Sequence, residues 1–134
     1  MHVQDMIRTS PAEAPINIEA LAECIEACFE CAQTCSACAD ACLGEEQVTQ
    51  LTACISLNEV CADVCATTGA ALSRIAHAAV IPTSSLLDAC AEACARCAEE
   101  CERHAEHMEH CRVCAEACRR CENACRELLS QEAA

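Results

Sequence analysis

Residues 24–42 read CIEACFECAQTCSACADAC, placing Cys24, Cys28, Cys31, Cys35, Cys38 and Cys42 at intervals of 4, 3, 4, 3 and 4 residues. On a helix of ~3.6 residues per turn, positions three and four apart share a face, so this spacing is a heptad seam written in thiols. The residues between them, Glu26, Glu30, Gln33, Ser36 and Asp40 among others, are largely polar and leave the opposite face to water. The stretch is therefore read as a helix that points sulfur into the interior, where Leu and Ile would ordinarily pack.

Working outward, Asn17 suits the cap that opens this helix, Glu19 and Glu23 lie near its positive end, and Gly44 suits the residue after its last turn. The first helix is expected over about 17–43. Residues 1–15, with Pro11 and Pro15 among polar residues, are expected to form a flexible tail, and residues 131–134 a short C-terminal one.

The second helix is expected from near Glu46 to about Ala79, before Pro82. Its inward stripe is Leu51, Cys54, Asn58, Cys61, Cys65, Thr68, Leu72 and Ile75. Asn58 interrupts the thiols there, either as a polar spacer or as a weak ligand. Leu57, Val60, Val64 and Ala71 form a second apolar stripe, and a helix with two apolar faces needs two partners, so this face is expected to pack against another subunit.

The third helix is expected after Pro82, with Ser85 and Asp88 loosely matching a capping box, and it carries Cys90, Cys94, Cys97 and Cys101. The fourth carries Cys111, Cys114, Cys118, Cys121 and Cys125. Between them the alternation of 4 and 3 slips, and one helix over 85–129 would be about 67 Å long at ~1.5 Å per residue, so a turn is expected near 103–109. All 18 cysteines then fall on inward stripes. Four such faces joined by short connections predict an all-α fold over residues 16–130, an antiparallel up-down-up-down four-helix bundle with a cysteine-lined core.

The two ends of that core differ. Ile18, Leu21, Leu72, Ile75, Leu86, Leu87, Leu128 and Leu129 gather at one end as an apolar plug, where His77 also lies, as a structural residue. The other end holds Leu43, Val48 and Leu51 and the turn with His104, His107, Met108 and His110, read as a mouth.

The composition agrees with one small helical domain. Among 134 residues, Leu, Ile, Val, Phe and Met number 26 against 18 Cys and 28 Ala, with two Gly, three Pro and no Trp or Tyr. A net charge of −14 argues against nucleic acid and anionic membranes as partners. It either concentrates cations or simply keeps an Ala- and Cys-rich chain soluble. No secretory core lies in the first fifteen residues and no segment approaches the ~20 apolar residues of a membrane span, so a cytoplasmic location is expected. A reducing compartment keeps cysteines as thiols and shifts their reading from a disulfide framework toward metal or redox chemistry.

Eighteen uncompensated thiolates could not be tolerated in a low-dielectric interior, so they must be protonated when empty and neutralised when filled. Soft sulfur selects Cu(I), Zn(II) or iron–sulfur clusters. Four thiolates on one Zn(II) keep two net negative charges, whereas bridging thiolates at one Cu(I) per sulfur are neutral, and burial favours neutrality. On that argument the chain would hold from about 9 to about 18 Cu(I) ions. A Zn or Cd buffer remains open, although structural Zn sites usually draw Cys pairs from turns. The C-x2-C-x2-C-x3-C-P run of iron–sulfur proteins is absent. Pairs such as Cys28 and Cys31, Cys94 and Cys97, or Cys118 and Cys121 could form a thiol-redox site, but the βαβ context of thioredoxin-like motifs is missing. At the mouth, His104, His107 and His110 with Met108 are either ligands that receive Cu(I) and pass it to Cys101, Cys111 and Cys42, or a solvated polar turn.

The run Cys24-x3-Cys28-x2-Cys31-x3-Cys35-x2-Cys38-x3-Cys42, then Cys54-x6-Cys61-x3-Cys65, Cys90-x3-Cys94-x2-Cys97-x3-Cys101, and, after the His-rich turn, Cys111-x2-Cys114-x3-Cys118-x2-Cys121-x3-Cys125 resembles the bacterial copper storage proteins of the cytosolic type. The likeness covers about residues 20–128. It implies a homotetramer of four-helix bundles storing many Cu(I) ions on inward thiolates, with entry at a His-containing open end. Such a store is not an enzyme, and a copper chaperone is the kind of protein partner that would act as its donor or acceptor.

Overall fold

The thiol heptad lies at the centre of one long helix. The computed structural model describes residues 1–14, 17–74 and 81–133, of which residues 132 and 133 are described by backbone alone, with α1 at Val3–Thr9, α2 at Ile18–Leu43, α3 at Thr52–Leu72, α4 at Thr83–His104 and α5 at Glu109–Ala133. A 3-10 turn, Val48–Gln50, precedes α3, and there is no strand among the described residues. The all-helical class read from the sequence is thus observed.

The four long helices pack in a cycle, α2 against α3 and α5, and α4 against α3 and α5, forming a helical bundle around one interior. Small residues let the backbones approach. Ala22, Ala27, Ala91, Ala98 and Ala115 are buried beside the thiols, and a methyl group added to Gly69 on α3 would meet the Phe29 ring of α2 at 3.1 Å and Cys28 Cβ at 3.2 Å. On the outside, Arg120 of α5 pairs with Glu23 and Glu30 of α2, and Arg119 of α5 reaches Glu102 of α4 at 2.8 Å. These pairs are partly exposed and set register more than they add stability.

Several boundaries differ from the expectation. The Asn17 cap forms as read, its Oδ1 accepting the Ala20 N–H at 2.9 Å, and Gly44 closes α2 with a φ of −87°, so no left-handed conformation is used there. The second bundle helix starts later and stops earlier than the expected 46–79, because the segment after Gly44 takes a 3-10 turn first and Ser73 ends α3. Ser85 and Asp88 do not form the expected capping box: Pro82 precedes the first helical residue, Thr83, and places Ser85 inside the first turn. The turn between the last two helices falls at residues 105–108, inside the expected window. Ile75, His77 and the expected helix end at Ala79 lie outside the described residues, as does Pro15.

Helix extends toward both termini. Residues 3–9 of the expected flexible tail are helical and docked on α2, with Val3 and Ile7 buried. An apolar cleft of about 830 Å³ lies beside that helix, lined by Ile25, Phe29 and Ile81 as well as Val3 and Ile7, and none of its lining residues is a thiol. At the other terminus α5 continues through Ala133, past the expected boundary at 130.

Candidate metal centre

Every cysteine is a free thiol and every one is buried, Cys38 being the most exposed at 2 %. The 3-4 spacing on four helices delivers them to one axis, where they stack as tetrads whose sulfurs all lie within 4.8 Å of one another. Starting from the end with the Leu residues, Cys24 touches Cys125 at 3.7 Å, and Cys125 belongs to the tetrad Cys28, Cys90, Cys121 and Cys125. Cys121 is shared with Cys31, Cys65 and Cys94; Cys31 is shared in turn with Cys35, Cys61 and Cys118; and Cys35 and Cys118 are shared with Cys97 and Cys114. A further tetrad, Cys38, Cys42, Cys54 and Cys111, lies beyond, with Cys101 at 3.8 Å from Cys54.

Asn58 lies between that last tetrad and the shared ladder. Its side chain is fully buried; Oδ1 accepts the thiols of Cys97 at 3.0 Å and Cys114 at 3.1 Å, while Nδ2 donates to Cys54 at 3.5 Å. The amide therefore joins the two groups of thiols by hydrogen bonds on both of its faces, in place of the sulfur that the stripe would put there. Thr68 is the other buried polar residue among the described residues and turns its hydroxyl to the Val64 carbonyl at 2.8 Å. No buried side-chain nitrogen or oxygen among the described residues lacks a partner.

Sulfur contacts between helices run from 3.5 Å for Cys65 and Cys94 to 4.0 Å for Cys35 and Cys97. A metal–sulfur bond of about 2.3 Å gives edges of about 3.8 Å in a tetrahedral site and about 4.0 Å in a trigonal one, so both coordination numbers fit the spacing. Sharing of vertices is the discriminating feature. Tetrads with common sulfurs can be filled together only when thiolates bridge ions, and bridging at one charge per sulfur is the neutral arrangement that burial requires.

Burial and hydrogen bonding divide the thiols. Loss of water pushes Cys42 up to about 11 and Cys111 up to about 12, so both are protonated at neutral pH in the metal-free protein. A hydrogen bond with Cys125 holds Cys24 down at about 5, and one with Cys101 holds Cys54 down at about 3. Contacts between sulfurs thus favour the thiolate at Cys24 and Cys54, while burial favours the protonated thiol at Cys42 and Cys111.

The two ends of the column are closed differently. At one, Leu21, Ile25, Leu72, Leu87 and Leu128 are buried, with Ile18, Leu86 and Leu129 half-buried around them. At the other, Leu43 is exposed and a cleft of about 350 Å³ is lined by Glu45, Gln47, Gln50, Leu51, His104, His107 and Met108. The three histidines separate by position. His110 Nδ1 lies 3.4 Å from Cys38 Sγ and 3.6 Å from Cys111 Sγ. His104 lines the cleft and its Nε2 is 2.9 Å from the Glu100 carboxylate, while His107 is exposed on the rim. Cys38 and the carboxylates Glu45 and Glu100 were missed as mouth residues. The spacing of four between Glu100 and His104 was legible, whereas the approach of Glu45 to His110 depends on tertiary packing.

A helical bundle whose interior is a continuous column of buried free thiols defines a class, a protein that sequesters soft metal ions on sulfur. Residues 17–130 match the family of copper storage proteins, and the chain belongs to that family. The structure of the copper storage protein Ccsp from Streptomyces lividans loaded with 10 copper equivalents is similar at 55 % identity, with a TM-score of 0.91, covering 96 % of this chain and 98 % of that one. A five-copper structure of the cytosolic copper storage protein from the same organism is 59 % identical, with a TM-score of 0.80 over 84 % of this chain and 93 % of that one. A variant of Ccsp with one histidine replaced by alanine is 57 % identical, with a TM-score of 0.83 over 87 % and 97 % of the two chains. A comparison with curated proteins gives no match. No described helix is long and apolar enough to cross a membrane.

Proposed function

We propose that the chain stores Cu(I) in the cytoplasm on its 18 cysteine thiolates, without enzymatic activity. The observation that carries this reading is the ladder of tetrads sharing Cys121, Cys31, Cys35 and Cys118. Filling such a ladder favours a monovalent soft ion that accepts two or three bridging sulfurs, and copper is the ion carried by the Streptomyces lividans proteins. The four long helices run up-down-up-down around the column, and residues 16–130 form the storage unit.

Ions enter at the end with His104, His107 and His110, where His110 is the imidazole nearest the thiols and Cys38, Cys42, Cys54 and Cys111 are the first sulfurs met. The apolar stripe of α3, on which Val60 is 53 % exposed, supports assembly into a homotetramer. A copper chaperone serves as donor or acceptor at the mouth.

The test is a titration of reduced, metal-free protein with Cu(I) under nitrogen against a competing chelator. Between about 9 and about 18 ions bound with helix content retained supports storage by bridged thiolates. Saturation near four ions with tighter Zn(II) binding would instead identify tetrahedral sites and a Zn buffer.

A further inference from the structure

The mouth contains a carboxylate that sits against the far nitrogen of His110. Glu45 Oε2 lies 3.4 Å from His110 Nε2, while the other ring nitrogen, Nδ1, faces Cys38 and Cys111. We propose that Glu45 is a positioning residue for copper entry: it accepts the His110 Nε2–H and so fixes the tautomer whose Nδ1 lone pair faces the thiol column. The proposal rests on the reading of His110 as the entry ligand and adds to it the group that makes that ring competent.

A neutral imidazole carries one N–H. With the proton on Nε2, the ring donates to Glu45 and presents a lone pair to the thiols and to an arriving ion. In the other tautomer the Nε2 lone pair would face the carboxylate oxygens, which is repulsive, and Nδ1–H would occupy the position a metal needs. Carboxylate partners of this kind set tautomer and ring orientation at metal-binding histidines in general. Oxygen is a poor ligand for Cu(I) beside thiolate and imidazole, so Glu45 acts through the ring and does not compete for the ion.

The local backbone holds this arrangement in place. Glu45 follows the end of α2, and its N–H donates to the carbonyl of Cys42, one of the mouth thiols, at 3.2 Å. His110 precedes Cys111, whose N–H bonds the Met108 carbonyl at 3.0 Å. Glu45 and His110 each lie within three residues of a mouth sulfur in the chain, and side-chain exposures of 33 % and 28 % leave both partly open to solvent. On the neighbouring helix, Glu100 meets His104 Nε2 at 2.9 Å, but Arg103 also reaches that carboxylate, at 3.4 Å. Of the two pairs, the one with Glu45 holds the ring whose other nitrogen lies against thiols, that of His110.

The experiment uses the full-length chain and its Glu45→Ala, Glu45→Gln and His110→Ala variants, with two readouts. The first is the ¹⁵N spectrum of the His110 ring in metal-free protein, which distinguishes Nε2–H from Nδ1–H. The second is the initial rate of Cu(I) uptake from a chelator complex, with final capacity measured on the same samples. Wild type and Glu45→Gln, whose amide oxygen still accepts the N–H, should show the Nε2–H ring and comparable rates. Glu45→Ala should show a mixed ring and a rate about tenfold lower at unchanged capacity, the low end of the range for outer partners of metal-binding histidines. A slow His110→Ala beside a Glu45→Ala as fast as wild type, or an Nε2–H ring retained in Glu45→Ala, would overturn the proposal alone. A His110→Ala as fast as wild type would overturn the entry reading, and this proposal with it.

Discussion

The column has sulfur along its length, yet its two ends are built from opposite materials. One is sealed by Leu21, Leu72, Leu87 and Leu128, which are almost wholly withdrawn from water, and the other is framed by His104, His107, His110, Glu45 and Glu100 around a cleft. Thiols are small and contribute less burial energy than Leu or Ile, so a bundle with a sulfur axis must draw its metal-free stability from where large side chains remain. Large apolar side chains are thus gathered at the sealed end and imidazoles and carboxylates at the other.

The most severe way to break this comparison is Leu128→Ala. It is expected to cost the metal-free protein about 2–5 kcal/mol by chemical denaturation, as for other large-to-small core changes, while copper capacity stays the same once the protein is folded. The counterpart at the mouth, His110→Ala, is expected to slow the first phase of Cu(I) uptake about tenfold, or about 1.4 kcal/mol in activation terms, and to leave the denaturation midpoint of the metal-free protein unchanged. A large stability loss at His110 or a slow uptake in Leu128→Ala would erase the division of labour. Asn17→Ala removes the cap that opens α2 at the sealed end and is expected to cost about 1 kcal/mol by the same denaturation assay.

The smallest effect is that of pH. Cys42 and Cys111 are pushed up to about 11 and about 12 by burial, so the folded state holds their protons more tightly than the unfolded chain does. The stability this contributes is complete below the ordinary thiol range and is lost as pH rises from about 9 through those values. The melting temperature of metal-free protein should therefore fall by about 2–4 °C between pH 9 and 11, part of the effect being screened by water at the mouth, and copper-loaded protein should show no such fall. A flat profile for the metal-free protein would mean that these thiols are as solvated folded as unfolded.

Much of this arrangement was legible in the sequence because the signal was periodic. Cysteines spaced by three and four over several turns fix both a helix and its inward face, and the slip before Cys114 marked the turn that ends α4 at His104. What escaped lacked such repetition. The helix Val3–Thr9 is too short to announce itself and is held by docking Val3 and Ile7 rather than by its own propensity. Ser85 and Asp88 had the spacing of a cap, but the fixed φ of Pro82 starts α4 earlier. Glu45 is 65 residues from His110, and nothing local in either segment records that they meet.

Sharing of sulfurs between successive tetrads has a consequence for the order of events. With one end sealed, an ion that enters at the mouth and steps from sulfur to sulfur cannot be overtaken, so the interior behaves as a stack in which the last ion in is the first out. Protein loaded first with one copper isotope and then with another would return the second before the first. The contents then have ages, and the ions beside Cys24 and Cys125 would be the oldest in the cell's reserve.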